Sequence, residues 1–332
     1  MQTRRLGANG PWVSALGLGC MGMSEFYGPT DDAQSLQTLA RALELGVVMF
    51  DTADTYGFGH NERLLGRFLA EGGAARRQRM VLATKFGIVR QSGQYERRID
   101  NSPAYIRAAC DASLQRLQVD RVDLYYCHRR DPAVPIEEVV GVMSDLVVAG
   151  KVGGIGLSEV SVATLRRAHA VHPVSAVQSE YSLWAREPEN GMLAACAELG
   201  VAFVAYSPLG RAFLTSTLDI QRLPEDDFRK HNPRFSGEAG MGNLRLVAEL
   251  GKIAARCDIT PAQLALSWLL NKQAHVIPIP GTRRIAYLEM NAAASNVVLD
   301  ADTLIELDRL FDPQAVSGDR YPQAGFVGME RD

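Results

Sequence analysis

Cysteine is sparse in this chain of 332 residues. There are five, at Cys20, Cys110, Cys127, Cys196 and Cys257, an odd number with no CxxC pair. That pattern excludes a disulfide frame and a cysteine-based zinc site, and fits free thiols in a reducing compartment. Long apolar runs are also missing. No stretch is long enough to span a bilayer and the N-terminus lacks the apolar core of a signal peptide, so a cytoplasmic protein with no membrane partner is expected. Neither sign of charge dominates: 35 Lys and Arg against 38 Asp and Glu leave a formal net charge of -3, which gives no basic field for nucleic acid. The basic run Arg76-Arg77-Gln78-Arg79 reads as a solvated helix end. Histidines number only six, none in HxH or ligand-like spacing with carboxylates. No metal site is expected, which counts against a metal-dependent barrel hydrolase. Low-complexity tracts, residue-level repeats and domain boundaries are absent too, so residues 1–332 read as one domain with a sizeable core.

What is present is alternation. Short apolar runs bounded by Gly, Pro, Asp or Ser occur at Val13–Leu18, Val47–Phe50, Met80–Thr84, Val122–Cys127, Gly154–Leu157, Ala176–Gln178, Ala202–Tyr206 and Val276–Ile279. Helical patterns lie between them: Asp31–Leu45 closed by Gly46, a helix opened by Ser102-Pro103 and running to about Leu117, Pro135–Ala149, Ser161–Ala170, Glu189–Leu199, Leu244–Arg256 and Thr260–Leu270. Repeated strand–helix units imply parallel strands with right-handed crossovers, and eight of them close a (β/α)8 TIM barrel. A doubly wound open sheet is the rival. Gly17–Gly22 has its GxGxxG spelling, but Pro29 and Asp31 precede the next helix, so this reads as a glycine-rich strand end. One long polar segment, Gly210–Gly242, follows the seventh strand, and Phe311–Asp332 has no helical period and reads as a C-terminal flap.

Active sites of such barrels lie at the carboxyl ends of the strands. There the chain places Asp51 with Tyr56 five residues on, then Lys85, His128, Ser158-Glu159, Gln178, Tyr206 to Arg211, and after the eighth strand Gly281 to Arg284. Asp51 and Lys85 alternate in phase with Val47, Met49 and with Val81, Ala83, so both side chains point into the mouth. A structural ion pair explains those two as well as a catalytic one does. Together with a phenol and an imidazole, however, they suit one job. A carbonyl receiving hydride needs a proton, a phenol can supply it, an ammonium lowers the phenol pKa, a carboxylate holds the ammonium, and a histidine orients the substrate oxygen.

At these residues the sequence resembles the aldo-keto reductase superfamily over nearly its whole length, most closely the bacterial and plant group that includes pyridoxal and perakine reductases. The resemblance is carried by Phe50 to Gly57 followed by Asn61-Glu62, by Ala83-Thr84-Lys85, Asp123 to His128, Gly154 to Ser158, Ala205 to Arg211 and Ile279 to Thr282. It implies an NADPH-dependent reductase of aldehydes and ketones, an alcohol dehydrogenase type using NADP, with Asp51, Tyr56, Lys85 and His128 as a tetrad and Tyr56 as the acid. It also implies that Ser158 and Gln178 hold the nicotinamide carboxamide and Tyr206 stacks on the ring. Ser207, Leu209, Gly210 and Arg211 would line the pyrophosphate and ribose, under the long loop, with Gly19 and Met21 beside the cofactor. Gly281, Thr282, Arg283, Arg284 and Asn291 would meet the adenosine end. Glu159 replaces a frequent Asn, and Tyr287 and Met290 replace an Arg and a Glu. Arg283 and Arg284 still offer a fork for a 2′-phosphate, so NADPH is preferred over NADH.

Phe26, Tyr27, Phe86 and Trp184 are the expected substrate-pocket walls, Trp184 foremost, with Trp12, Met23 and Phe213 as further candidates. Arg129 and Arg130 could favour anionic substrates but read as solvent-exposed. The partner is a small carbonyl compound whose identity, like the oligomeric state and the reaction direction, stays open, as does a redox role for Cys20 or Cys127. A nucleotide-sensing subunit of the potassium-channel β type is the alternative on the same fold. Such subunits usually carry an added N-terminal segment, whereas this chain opens directly into the Arg4–Val13 strand region.

Overall fold

A computed structural model describes residues 1–90, 97–225 and 227–330. Eight parallel strands pair in chain order: β1 (Leu18–Gly19), β2 (Met49–Asp51), β3 (Val81–Phe86), β4 (Leu124–Cys127), β5 (Ile155–Ser158), β6 (Val174–Glu180), β7 (Ala202–Tyr206) and β8 (Val276–Pro278). The sheet curls until its ends meet. Gly17 N donates to Pro278 O at 3.0 Å, Gly19 N donates to Pro280 O at 3.3 Å, and Gly19 bridges Gly281. Glycine is required along this seam, since a Cβ on Gly17 would lie 2.9 Å from Ile279 Cγ2 and one on Gly19 2.9 Å from Ile279 O. The Gly17–Gly22 segment is thus a strand end running into a 3-10 turn at Met21–Met23, as expected.

Inside the barrel Met49, Ala83, Leu124, Tyr126, Ala176, Ala202, Val204, Ile277 and Ile279 form a buried core. The floor is a hairpin of Thr3–Arg5 with Trp12–Ser14 that adds Leu6 and Val13 to it. The expected first strand at Val13–Leu18 is therefore split between hairpin and barrel.

The surrounding helices are α1 (Asp32–Glu44), α2 (His60–Gln78), α3 (Pro103–Leu117), α4 (Ile136–Val148), α5 (Val162–Val171), α6 (Met192–Leu199), α7 (Gly237–Arg256), α8 (Pro261–Lys272), α9 (Ile285–Ala293) and α10 (Ala301–Leu310). Their starts follow local chemistry. Asp31 accepts from Gln34 N at 3.0 Å to cap α1, and Thr260 with Gln263 forms a capping box on α8. α2 has no counterpart among the expected helices, because Gly72-Gly73 interrupts its pattern and Gly73 kinks it at φ 59.

The segment after β7 is a chain of 3-10 turns, at Phe213–Thr215, Ile220–Arg222, Phe228–His231 and Pro233–Phe235, and α7 begins at Gly237, inside the expected loop. Position 226 of that loop and positions 331–332 of the expected flap lie outside the described residues. From Phe311 onward the tail is irregular apart from a turn at Gln323–Phe326. No described helix is long and apolar enough to cross a membrane.

Candidate active site

The four residues expected to act together are brought together. Lys85 is wholly buried at the end of β3 and bonds Asp51 Oδ1 at the end of β2. Its ammonium also donates to Thr52 O at 2.8 Å and to Tyr56 Oη at 3.3 Å. The second oxygen of Asp51 accepts from Gln178 Nε2 at 2.8 Å, so both carboxylate oxygens are satisfied. His128 follows β4, its N donating to Phe86 O at 2.8 Å, and its ring stands edge-on to Tyr56 with centroids 5.9 Å apart.

Two buttresses were visible only as letters in the resemblance. Asn61 accepts from Thr52 Oγ1 at 2.6 Å and donates to Cys20 O at 2.8 Å and to Ser24 Oγ at 2.7 Å. Glu62 accepts from Thr84 Oγ1 at 2.5 Å and from Arg116 Nε at 2.6 Å. They tie the first turn of α2 to β1 through β3 and so fix the loop that carries Tyr56.

Burial pulls the Lys85 ammonium down, but Asp51 and Tyr56 outweigh it and hold its pKa above the ordinary lysine value. The Tyr56 phenol departs from expectation. Burial raises it, Lys85 only opposes the rise, and the net direction is upward. The phenol therefore keeps its proton at neutral pH with a cation against its oxygen. Burial, then Lys85 and Arg129, push His128 well below its usual value, so its imidazole is neutral. Cys20 and Cys127 are both buried thiols raised by burial, Cys127 to about 12, which leaves neither as a reactive thiolate.

Beyond the tetrad, Ser158 and Gln178 face each other in the β5–β6 register, both buried. Tyr206 ends β7 opposite Glu180, and its Oη donates to Glu159 Oε1 at 2.7 Å and lies 3.2 Å from Tyr321 Oη. Ser207, Gly210, Arg211 and Ala212 all have positive φ, at 49, 56, 56 and 74°, an accumulation that costs free energy and marks a sharply bent loop. Only glycine fits at 210, where a Cβ would lie 2.6 Å from Trp184 Nε1. Leu209 is half-buried against the core. Gly19 and Gly281 meet at the seam, Met21 sits in the turn after β1, and Thr282 Oγ1 accepts from Arg284 N at 3.1 Å. Arg284 is exposed beside Tyr287, and Asn291 is buried on α9.

Several expectations need correction. The Arg211 guanidinium is taken up by Glu180 in a buried two-point pair at 3.1 and 2.9 Å, so only its backbone is left to line a cofactor. Arg283 donates to Gly22 O at 3.1 Å and Tyr27 O at 2.7 Å, which fastens the β1–α1 loop and leaves Arg284 without the second arm of a fork. Phe86 is core, its ring 4.9 Å from Tyr125. Trp184 is buried in loop packing, stacked on Phe213 at 4.6 Å and met edge-on by Phe235. Trp12 lies in the floor hairpin, far from the mouth. Phe26 and Tyr27 are half-buried and both contact Phe228, each at 5.5 Å, so they join the β1–α1 loop to the loop after β7. Arg129 is buried, and Arg130 is mostly buried and pairs with Glu330 at 2.9 Å, because the tail crosses over both.

Comparisons with known proteins agree with this geometry. A model described as the aldo/keto reductase family matches residues 15–312. An aldo-keto reductase of Schizosaccharomyces pombe named yakc [NADP(+)] is 44% identical over 324 residues, spanning 96% of this chain and 94% of that protein. A glycerol dehydrogenase structure from Gluconobacter oxydans superposes with TM-score 0.85 at 27% identity, over 94% of this chain and 96% of the other. A thermostable aldo-keto reductase solved with the inhibitor epalrestat superposes with TM-score 0.73 at 28% identity, over 93% of this chain and all of the other.

Proposed function

Because the chain belongs to the aldo/keto reductase family, we propose that it is an oxidoreductase in which NADPH reduces an aldehyde or ketone and Tyr56 protonates the nascent alkoxide. One observation carries the reading: the Tyr56 phenol has the Lys85 ammonium 3.3 Å from its oxygen, and Lys85 itself is anchored on Asp51. The NADP(+) label of the yeast relative and the exposed Arg284 support NADPH over NADH.

The residues at the mouth fit a dinucleotide. Ser158 and Gln178 stand side by side for a carboxamide, the half-buried Tyr206 offers a ring face, and Gly281, Thr282 and Arg284 form an accessible edge for the phosphate end. Bound NADPH supplies the hydride. The chain's residues supply the rest. Neutral His128 donates to the carbonyl oxygen and aims it at Tyr56. As charge grows on that oxygen, Tyr56 releases its proton to it, and Lys85 steadies the phenolate left behind. Asp51 keeps Lys85 charged and in place. One barrel domain in the cytoplasm, acting on small carbonyl compounds, completes the reading. No observation favours the nucleotide-sensing alternative.

The test is paired. NADPH and NADH are titrated by quenching of protein fluorescence, and consumption of nicotinamide absorbance is followed with 4-nitrobenzaldehyde. NADPH binding with turnover is expected. Binding without turnover of any carbonyl contradicts the reductase reading, and failure to bind either nucleotide removes its basis.

A further inference from the structure

Among the described residues the buried and half-buried charges around the mouth mostly pair off; Arg234 meets backbone carbonyls instead, donating to Gly318 O at 3.0 Å and Trp184 O at 2.7 Å, and Arg129 is left without a carboxylate. Lys85 has Asp51, Arg211 has Glu180, and Arg90 has both oxygens of Glu25. Arg320 holds Glu159 through two contacts of 3.2 Å. Arg129 is as buried as these, at 6% exposure, yet no carboxylate pairs with it among the described residues. Its Nη1 donates only to neutral oxygens, His128 O at 2.8 Å and Ser158 Oγ at 3.2 Å. Its Nε is buried without any partner, and Nη2 has none among the described residues. Glu159 is already occupied, accepting from Arg320, from Tyr206 Oη at 2.7 Å and from Glu180 N at 3.0 Å.

A buried, unpaired guanidinium is costly unless something anionic completes it. Burial weighs against the charge, but Tyr206 and Glu159 outweigh it and keep Arg129 a cation. Its place says what the anion belongs to. Arg129 Nη1 bridges the His128 backbone carbonyl and Ser158 Oγ, and its charge bears on the His128 ring and the Tyr56 phenol, so it borders the space expected for the reacting carbonyl carbon and not the phosphate end.

We propose that Arg129 binds a carboxylate carried close to the carbonyl group of the substrate, so that oxo acids are the preferred substrate class. The inference rests on the reductase reading above. A planar guanidinium with free N–H groups on two nitrogens suits a carboxylate through two parallel bonds.

Two readouts test it. The first is calorimetric titration of benzoate into wild-type protein and into Arg129→Met and Arg129→Lys, with and without NADPH. Binding should weaken by about 10- to 100-fold in the Met variant and less in the Lys variant. The second is selectivity, taken as kcat/KM for phenylglyoxylate over kcat/KM for its methyl ester, which differ in charge at one group. Wild type should favour the acid, and the ratio should fall about 10- to 100-fold in Arg129→Met. Because a ratio is read, any general loss from disturbing Ser158 or His128 cancels. An unchanged ratio, or a wild type that prefers the ester, overturns the proposal. If the Met variant does not fold, the Lys variant decides, since it keeps charge without the planar fork: unaltered benzoate binding there overturns the proposal. Benzoate binding that depends on Arg129, with no carbonyl reduced at all, would support the anion site and contradict the reductase reading.

Discussion

The two sides of the barrel mouth are built differently. At the ends of β2 to β4, Asp51 and Lys85 sit on strands, and Asp51 is answered atom for atom by Lys85 and Gln178. At the ends of β5 to β7, Glu159 and Glu180 meet cations that arrive from loops, Arg211 from the bent segment after β7 and Arg320 from the C-terminal tail. The tail is held by further long-range bonds: Asn232 Nδ2 to Arg320 O at 2.6 Å, Asn243 Nδ2 to Ser317 O at 2.9 Å and Glu330 N to Glu159 O at 2.9 Å. Proton transfer needs groups fixed on a rigid frame, whereas a site that admits a long cofactor has to open. Strands serve the first need, and ion pairs that reach from a strand end to a loop or the tail suit the second, since they are expected to part without unfolding the barrel.

Substitutions can break this contrast. Lys85→Met should have the largest effect, because it strands the Asp51 carboxylate in the barrel interior. A loss of about 3–5 kcal/mol is expected in denaturant unfolding, and an unchanged midpoint would show that Asp51 is not buried as a charge. Arg320→Ala removes the two guanidinium contacts of Glu159 and leaves those from Tyr206 Oη and Glu180 N, and there the tail can lift and water can enter. Global stability should fall by only about 1–2 kcal/mol, while limited proteolysis cuts the tail faster. A loss as large as that of Lys85→Met would erase the distinction.

Arg284→Ala and Arg283→Ala sharpen it at the adenosine end. The first should weaken NADPH binding about tenfold and leave NADH unaltered, as for loss of one charge-assisted contact. The second should weaken both nucleotides alike, because Arg283 works through the carbonyls of Gly22 and Tyr27. The smallest effect concerns His128. Its folded pKa lies well below 6.5, while the unfolded chain takes up that proton near 6.5. Below that pH the unfolded state binds more protons, so stability falls as pH falls, by under about 1 kcal/mol at pH 6 from this residue. His128→Gln should flatten that part of the stability profile, and an unchanged slope would contradict a neutral native imidazole.

The barrel and its tetrad were legible because their signals are local. Apolar runs closed by turn residues mark strands, and the shared phase of Met49, Asp51 and Ala83, Lys85 turns both charges inward. The misreadings share another cause. Trp184 resembled a pocket wall because Phe213 and Phe235, its packing partners, lie on another loop. Arg211 and Arg283 resembled phosphate ligands because neither Glu180 nor the carbonyls of Gly22 and Tyr27 adjoin them in sequence. Arg129 resembled a surface residue because the tail that covers it comes some two hundred positions later, at Gly328 and Glu330. A guanidinium can reach acceptors from any part of a fold, so its role is fixed by tertiary structure and not by its neighbours in sequence.

The most direct test of Tyr56 as the proton donor is Tyr56→Phe, measured for NADPH affinity by fluorescence quenching and for turnover of the best carbonyl substrate in one preparation. Unchanged affinity with turnover reduced about 10²- to 10⁴-fold is the expected result. Turnover close to wild type would contradict the assignment and move the proton donor elsewhere in the mouth.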